Sequence, residues 1–324
     1  MCTRPSPNRK ITKNHKKMMQ PISTLKLSKS AKTELAKSGY HYVDDIENLG
    51  EWTRKHNEKL TPPLPPEISA LDLWQDEVQQ DYVRTFCENL DNILDGGFRC
   101  GTITEICGAY GSGKTQICFQ TSVNCQLPQN CGGLSSQTLY IDTRNGFSSC
   151  RIQDIIRGCQ KRFPNVILNE NDILKEIKVS SPRNLDELIS TIHSLKKYLR
   201  TDSKIKAIIL DSLSLPVQCT LTDGWQRTQF YFRVVDELQK IASRNKIAVI
   251  IVNELCSHVD DEGEITYESA GGQLFAHRAL RRLVVTRLSD SRFAARILKS
   301  SSVPQISIKF HIDEDGIRDE NSSQ

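Results

Sequence analysis

Two periods alternate along this chain. Short, almost wholly apolar runs at residues 102–107, 138–142, 207–210 and 247–252 predict strands. Between them, apolar residues recur every three or four positions and predict helices. One carries Ile117, Phe119 and Val123; another, opened by Ser181-Pro182, carries Leu185, Leu188, Ile189, Ile192, Leu195 and Leu199. Strands apolar at successive positions have no solvent face, so the alternation predicts an α/β fold whose mostly parallel sheet is covered by helices on both sides. Three further β-like runs, 283–286, 293–298 and 306–310, follow without long helices and predict antiparallel strands at the C-terminal edge.

The first part of the chain reads differently. Residues 1–20 are basic and polar without an apolar period, which predicts a disordered tail. Leu27, Ala31, Leu35 and Ala36 then mark a helix with Ser28 as N-cap and Gly39 as its stop, and Val43, Ile46 and Leu49 begin a second stripe. Residues 21–60 are therefore expected to form a small helical domain. Thr61-Pro62-Pro63-Leu64-Pro65-Pro66 is stiff, extended chain, and Ala70-Leu71-Asp72-Leu73-Trp74 has the pattern of a short amphipathic helix. Residues 61–80 form the predicted linker and 81–324 the core.

Composition narrows the class. With 38% hydrophobic and 25% charged residues, the chain can build a globular core, and a net charge of +4 does not by itself announce a nucleic-acid binder. The basic residues are concentrated in the first forty positions, where Glu34 is the lone acid, so nuclear import, phosphate contact and a merely solvated tail all fit that segment. Eleven cysteines form no CxxC, and Cys87, Cys107, Cys118 and Cys159 lie in apolar runs, as expected of free thiols in a reducing compartment. The seven histidines show no zinc spacing, no apolar run reaches membrane-spanning length, and no signal peptide is evident, so an intracellular, non-membrane protein is expected.

The chemistry is concentrated in Gly108-Ala109-Tyr110-Gly111-Ser112-Gly113-Lys114-Thr115, a complete G-x-x-x-x-G-K-T placed between a strand and an apolar helix. Its glycines let backbone N–H groups turn inward around phosphates, and the helix N-terminus adds partial positive charge. Lys114 is positioned for the β- and γ-phosphates of ATP and the Thr115 hydroxyl for Mg²⁺. Asp211, which ends the 207–210 strand, is the expected second partner of Mg²⁺.

Tyr140-Ile141-Asp142-Thr143, Asp211-Ser212, Ile250-Ile251-Val252-Asn253, and Gly271-Gly272-Gln273 before Ala276-His277 follow this loop in order. Together they resemble the RecA-like strand-exchange recombinases of eukaryotes. Gln126-Leu127-Pro128-Gln129-Asn130-Cys131-Gly132-Gly133 and Ala70-Leu71-Asp72-Leu73 look like that family's C-type paralogue branch, a Rad-group DNA repair type. The resemblance implies a RecA-like P-loop core, ATP at subunit interfaces, and DNA, single-stranded or branched, as a partner. It also implies a hetero-oligomer with other recombinase paralogues, association with the main strand-exchange recombinase, and action in the nucleus, with the cytoplasm not excluded. Carried over by position, Arg151 would stack on the adenine, Pro304 would pack against the base, and Lys299 would lie against a neighbour's nucleotide. Residues 215–225 and 256–272 would be the two DNA-facing loops.

Three departures bear on function. Where the family places a water-orienting glutamate, this chain has Arg144, which cannot accept a proton. Where the family has a γ-phosphate-sensing glutamine, it has Glu254, for which Arg144 is the expected counter-ion. The second loop is acidic, with Asp260, Asp261, Glu262, Glu264 and Glu268 and no lysine or arginine from Glu254 to Gln273, a poor surface for a polyanion. DNA contact then falls to Arg278, Arg281 and Arg282, to the basic first segment, or to Trp225 with Arg227, where the ring either stacks a base or packs. The reading that results is an ATP-binding accessory or mediator subunit in homologous-recombination repair, with hydrolysis weak or absent and mitotic and meiotic roles both open. The alternatives are an active DNA-dependent strand-exchange ATPase and, more remotely, an unrelated P-loop kinase or regulatory ATPase.

Overall fold

The computed structural model describes residues 21–24, 27–46, 67–201, 204–259, 265–270, 281–300 and 304–320. They divide into two compact units at Gln75/Asp76, each described by itself. In the first, helix α1 (Lys29–Lys37) is capped by Ser28, whose Oγ accepts from the Ala31 amide at 3.3 Å, and the chain leaves it through Gly39 at φ +80°. Leu35 packs with Ile22 and Ile46, a core too small to account for much stability, and Ala31 is buried on the same helix. The predicted second stripe yields only a 3-10 turn, Val43–Asp45, with Ile46 already extended; Leu49, the basic tail and the prolines of the linker lie outside the described residues. Helix α2 (Ala70–Val78), longer than the run that predicted it, buries none of its residues.

The second unit opens with a two-stranded ribbon, β1 (Tyr82–Val83) and β2 (Phe98–Arg99), around helix α3 (Glu88–Ile93). Then come β3 (Ile103–Gly108), α4 (Lys114–Asn124), β4 (Gln137–Asp142), α5 (Ser149–Arg162), α6 (Glu170–Glu176) and β5 (Ile177–Ser180). The chain continues through α7 (Leu185–Thr201), β6 (Ile205–Asp211), α8 (Ser214–Thr220), α9 (Gly224–Asn245) and β7 (Ala248–Val259). It closes with β8 (Ile265–Ser269), β9 (Arg281–Arg287), β10 (Arg292–Lys299), β11 (Ser307–Asp313) and β12 (Gly316–Asp319).

The sheet order is β12-β11-β10-β9-β3-β7-β6-β4-β5, with β8 pairing β7. The pairs from β9 through β5 are parallel, and β9 to β12 form an antiparallel meander, as the helix-free C-terminal runs predicted. Alternation within strands builds two cores. Ile106, Tyr140, Ile209 and Ile250 point to the face covered by α4 and α5; Ile103, Ile141, Ile208, Leu210 and Ile251 point to the face covered by α7 and α9. Each buried isoleucine removes enough apolar surface to contribute about 1.5–3 kcal/mol. That burial fixes the register, and the register gathers the chain's reactive side chains at the C-terminal ends of β3, β4 and β6 and at the position of β7 level with them. Cys87, Cys107, Cys118 and Cys159 are buried and unbridged, and burial pushes their thiols well up, Cys159 to about 11.

Two charged residues lock the C-terminal meander. Asp319 accepts the Glu88 and Asn89 amides at 2.9 and 2.8 Å, tying β12 to the start of α3. Arg281 is 1% exposed and grips the turn before β2 through the Leu94 carbonyl and the Asp95 carboxylate. The sequence offered Arg281 to DNA, but an arginine buried against its own backbone is a structural staple.

Two predictions follow from these anchors. Burial opposes ionisation of Asp319, but the amides and the Cys87 thiol outweigh it and hold its carboxyl below the usual range. Its contribution is therefore full above the unfolded pKa and is lost as pH falls through the lower folded value. Asp319→Ala should cost about 1 kcal/mol in denaturant unfolding at pH 7, with the difference from wild type closing below about pH 4. Arg281→Ala should cost more, roughly 2–3 kcal/mol, because it leaves the buried Leu94 carbonyl without its donor; an unchanged unfolding midpoint would return Arg281 to the surface candidates.

Candidate nucleotide site

Strand β3 ends at Gly108, and the chain turns tightly before α4 begins at Lys114. Gly108 cannot carry a side chain: a Cβ there would lie 2.3 Å from the Val285 carbonyl and 2.5 Å from Ser112 Oγ. Gly113 sits at φ +92° above Ile312 and Phe293, a conformation and a clearance suited to glycine. The loop therefore lies tight against the sheet and leads straight into the N-terminus of α4, the arrangement in which backbone N–H groups and the helix dipole attract phosphate.

The loop forms one wall of a cleft of ≈ 560 Å³ that also receives Asp142 and Asp211 from the ends of β4 and β6, Arg144 from just beyond β4, and Glu254 from the middle of β7. Lys114, only 6% exposed, donates from Nζ to the Gly108 and Ala109 carbonyls, each at 2.8 Å, and to Glu254 Oε2 at 3.2 Å. The other Glu254 oxygen is ion-paired with the Arg144 guanidinium, which also lies 5.8 Å from the centre of the exposed Tyr110 ring. Arg144 and Glu254 thus pair as the sequence suggested, and Lys114 joins them in a network the sequence did not suggest.

Asp211 is the second focus. Its Oδ2 accepts from the Thr115 hydroxyl at 2.7 Å and from the Tyr140 hydroxyl at 2.8 Å. Burial pushes the carboxyl above the ordinary range, partly offset by those two hydroxyls. Its Oδ1 is buried without a hydrogen-bond partner among the described residues. An orphaned carboxylate oxygen beside a threonine hydroxyl and an open phosphate cradle fits Mg²⁺, which takes one or two protein oxygens and completes its shell with phosphate and water. Among the described residues no set of three or more acidic, histidine or cysteine side chains is arranged to hold a metal alone, so a cation here would need the phosphates.

The remaining candidates scatter. Arg151 donates to the Asp313 and Glu314 carbonyls and to Gln116 Oε1; only the last of these partners reaches the cleft. Pro304 is exposed between β10 and β11 and does not line the cleft. Residues 215–225 are largely helical, containing all but the first residue of α8, and Trp225 stands 66% exposed in the first turn of α9 while Arg227 is turned onto the Leu221 carbonyl. The second loop is in good part a hairpin, β7 running on to Val259 against β8; its acidic tip at 260–264 and Arg278 lie outside the described residues. Arg282 does not face outward either: it pairs with the fully buried Glu105, which also accepts from Asn253 and Ser269. Tyr140, which holds Asp211, was read as part of a strand and of a family motif but given no role of its own, since a lone tyrosine in an apolar run does not say which acid its hydroxyl will meet.

Comparison with known proteins bears on this geometry. The family model described as Rad51 matches residues 78–320. The DNA repair protein RAD51 homolog 3 of Cricetulus griseus is 30% identical over 265 residues, covering 78% of this chain and 72% of that protein. Its namesake in Dictyostelium discoideum is 31% identical, with 78% and 69% covered. The DNA repair and recombination protein RadA of Aeropyrum pernix is 30% identical over 254 residues, with 78% and 77% covered. Cleft, sheet order and these matches agree: the chain belongs to the Rad51 family.

Proposed function

We propose that this chain is a nucleotide-binding recombination-repair paralogue that holds Mg²⁺-ATP or its diphosphate and turns it over slowly or not at all. One observation carries the reading: a phosphate loop and Asp211 are in place, while Arg144 is paired with Glu254 where a water-activating base would be needed. The loop amides and Lys114 would bind the phosphates, and Thr115 and Asp211 would hold the metal, which supplies charge neutralisation. Of the two residues that depart from the family pattern, Arg144 is already protonated and cannot take a proton from water at neutral pH, and Glu254 is engaged by two cations. Loss of a positioned base costs about 10²–10⁴ in rate.

The names of its relatives, DNA repair and recombination proteins, support a place in homologous recombination as a subunit that assembles with other recombinase paralogues and assists the main recombinase. The basic residues before Lys37 support nuclear action and phosphate contact. Trp225 is the exposed aromatic best placed to stack a base of single-stranded or branched DNA.

Two measurements test this. Calorimetric titration of the full chain with Mg²⁺-nucleotide should give a Kd of about 10 µM or tighter, and Lys114→Ala should weaken it at least about 100-fold by removing a charge-assisted contact. Phosphate release by the wild type should stay at the Lys114→Ala background with single-stranded DNA present. DNA-stimulated turnover well above that background would establish the strand-exchange ATPase instead.

A further inference from the structure

We infer that Glu254 is a specificity-determining residue of this site: it competes with a terminal phosphate for Lys114 and Arg144 and so favours a nucleoside diphosphate over a triphosphate. The inference rests on the nucleotide-site reading given above and adds which nucleotide that site retains.

An ammonium has three donors, and Lys114 uses all three, on the Gly108 carbonyl, the Ala109 carbonyl and Glu254. Arg144 gives Nη1 to the other Glu254 oxygen. Both cations nearest the phosphate loop are thus already engaged by one carboxylate, which, like a phosphate, presents only acceptors and halves their combined charge. The third cation of the cleft, Arg287, is paired with Asp290 at 3.1 Å. Four carboxylates (Asp142, Asp211, Glu254 and Asp290) therefore face three cations (Lys114, Arg144 and Arg287) on the walls before any phosphate arrives.

Glu254 is also held where it is. It stands opposite Gly108 in the β3/β7 register, its amide donates to Ser214 Oγ at 3.1 Å, and its carbonyl accepts from the Ala270 amide at 3.0 Å. Its backbone cannot retreat without breaking both contacts, so the carboxylate stays within reach of the cleft. Side-chain exposures of 6%, 22% and 28% for Lys114, Glu254 and Arg144 set this network apart from a solvent-screened surface pair. A third phosphate would bring further negative charge into a cleft whose wall already carries the Glu254 carboxylate, and like charges within one cleft repel even in a polar protein environment.

The test is a pair of titrations of the full chain with Mg²⁺-ADP and Mg²⁺-ATP, each followed by calorimetry and repeated on Glu254→Gln. Wild type should prefer the diphosphate by about tenfold. Glu254→Gln, isosteric and partly exposed, should raise triphosphate affinity by about tenfold and change diphosphate affinity less than about threefold. Glu254→Ala serves as the second variant and should remove the preference in the same way. Equal preference in wild type and both variants overturns the inference and leaves the nucleotide site intact. Failure of the wild type to bind either nucleotide overturns the site reading, and this inference with it.

Discussion

A strand buried on both faces can offer chemistry only at its ends, and in this chain the turn from β3 into α4 is where that constraint becomes a site. Ile103 and Ile106 commit β3 to the two cores, so Gly108 must emerge at the sheet's edge against the Val285 carbonyl. The same burial aligns β4, β6 and β7, so that the last residues of β4 and β6, Asp142 and Asp211, and Glu254, which stands opposite Gly108 in the middle of β7, arrive around one cleft. No loop has to search for this arrangement; hydrophobic packing sets it, and the polar groups are carried along.

Within the cleft two electrostatic foci do different work. At Asp211 an acid is buried beyond its comfort, held by Thr115 and Tyr140 and left with one oxygen open, which suits a cation. At Glu254 the opposite holds: two cations converge on one carboxylate, and both of its oxygens are already taken. A site with an open metal focus and a closed phosphate focus is built to hold a ligand rather than to process it. The buried Glu105 network, reaching Asn253, Ser269 and Arg282, joins β3, β7, β8 and β9 directly beneath.

What could be read from the sequence depended on how local the determinant was. Gly108 to Thr115 and the strand-ending Asp211 are contiguous patterns, and the apolar strands announced their two-sided burial through unbroken runs. The Arg144–Glu254 pair spans 110 residues and was legible only because both positions depart from a family pattern. Arg281 and Arg282 were offered to DNA because charge in a sequence suggests surface; only the fold supplies the Leu94 carbonyl that holds the buried Arg281 and the Glu105 carboxylate that engages the partly buried Arg282. The hairpin of β7 and β8 was hidden because its residues mix apolar and polar types without a clean alternation, and the strands are recognised by their pairing. Lys114 turning back onto its own loop could not be read at all, being a matter of side-chain geometry.

The central claim is that the cradle at the end of β3 grips nucleotide phosphates through Lys114. Its most direct test is the thermal unfolding midpoint of the purified chain against rising Mg²⁺-ADP concentration, since a ligand bound only by the folded state stabilises it by RT ln(1 + [L]/Kd). The account predicts a midpoint that climbs steadily with the logarithm of ligand in the wild type and stays flat in Lys114→Ala. A wild-type midpoint unmoved at millimolar ligand, or an equal climb in both proteins, would contradict it.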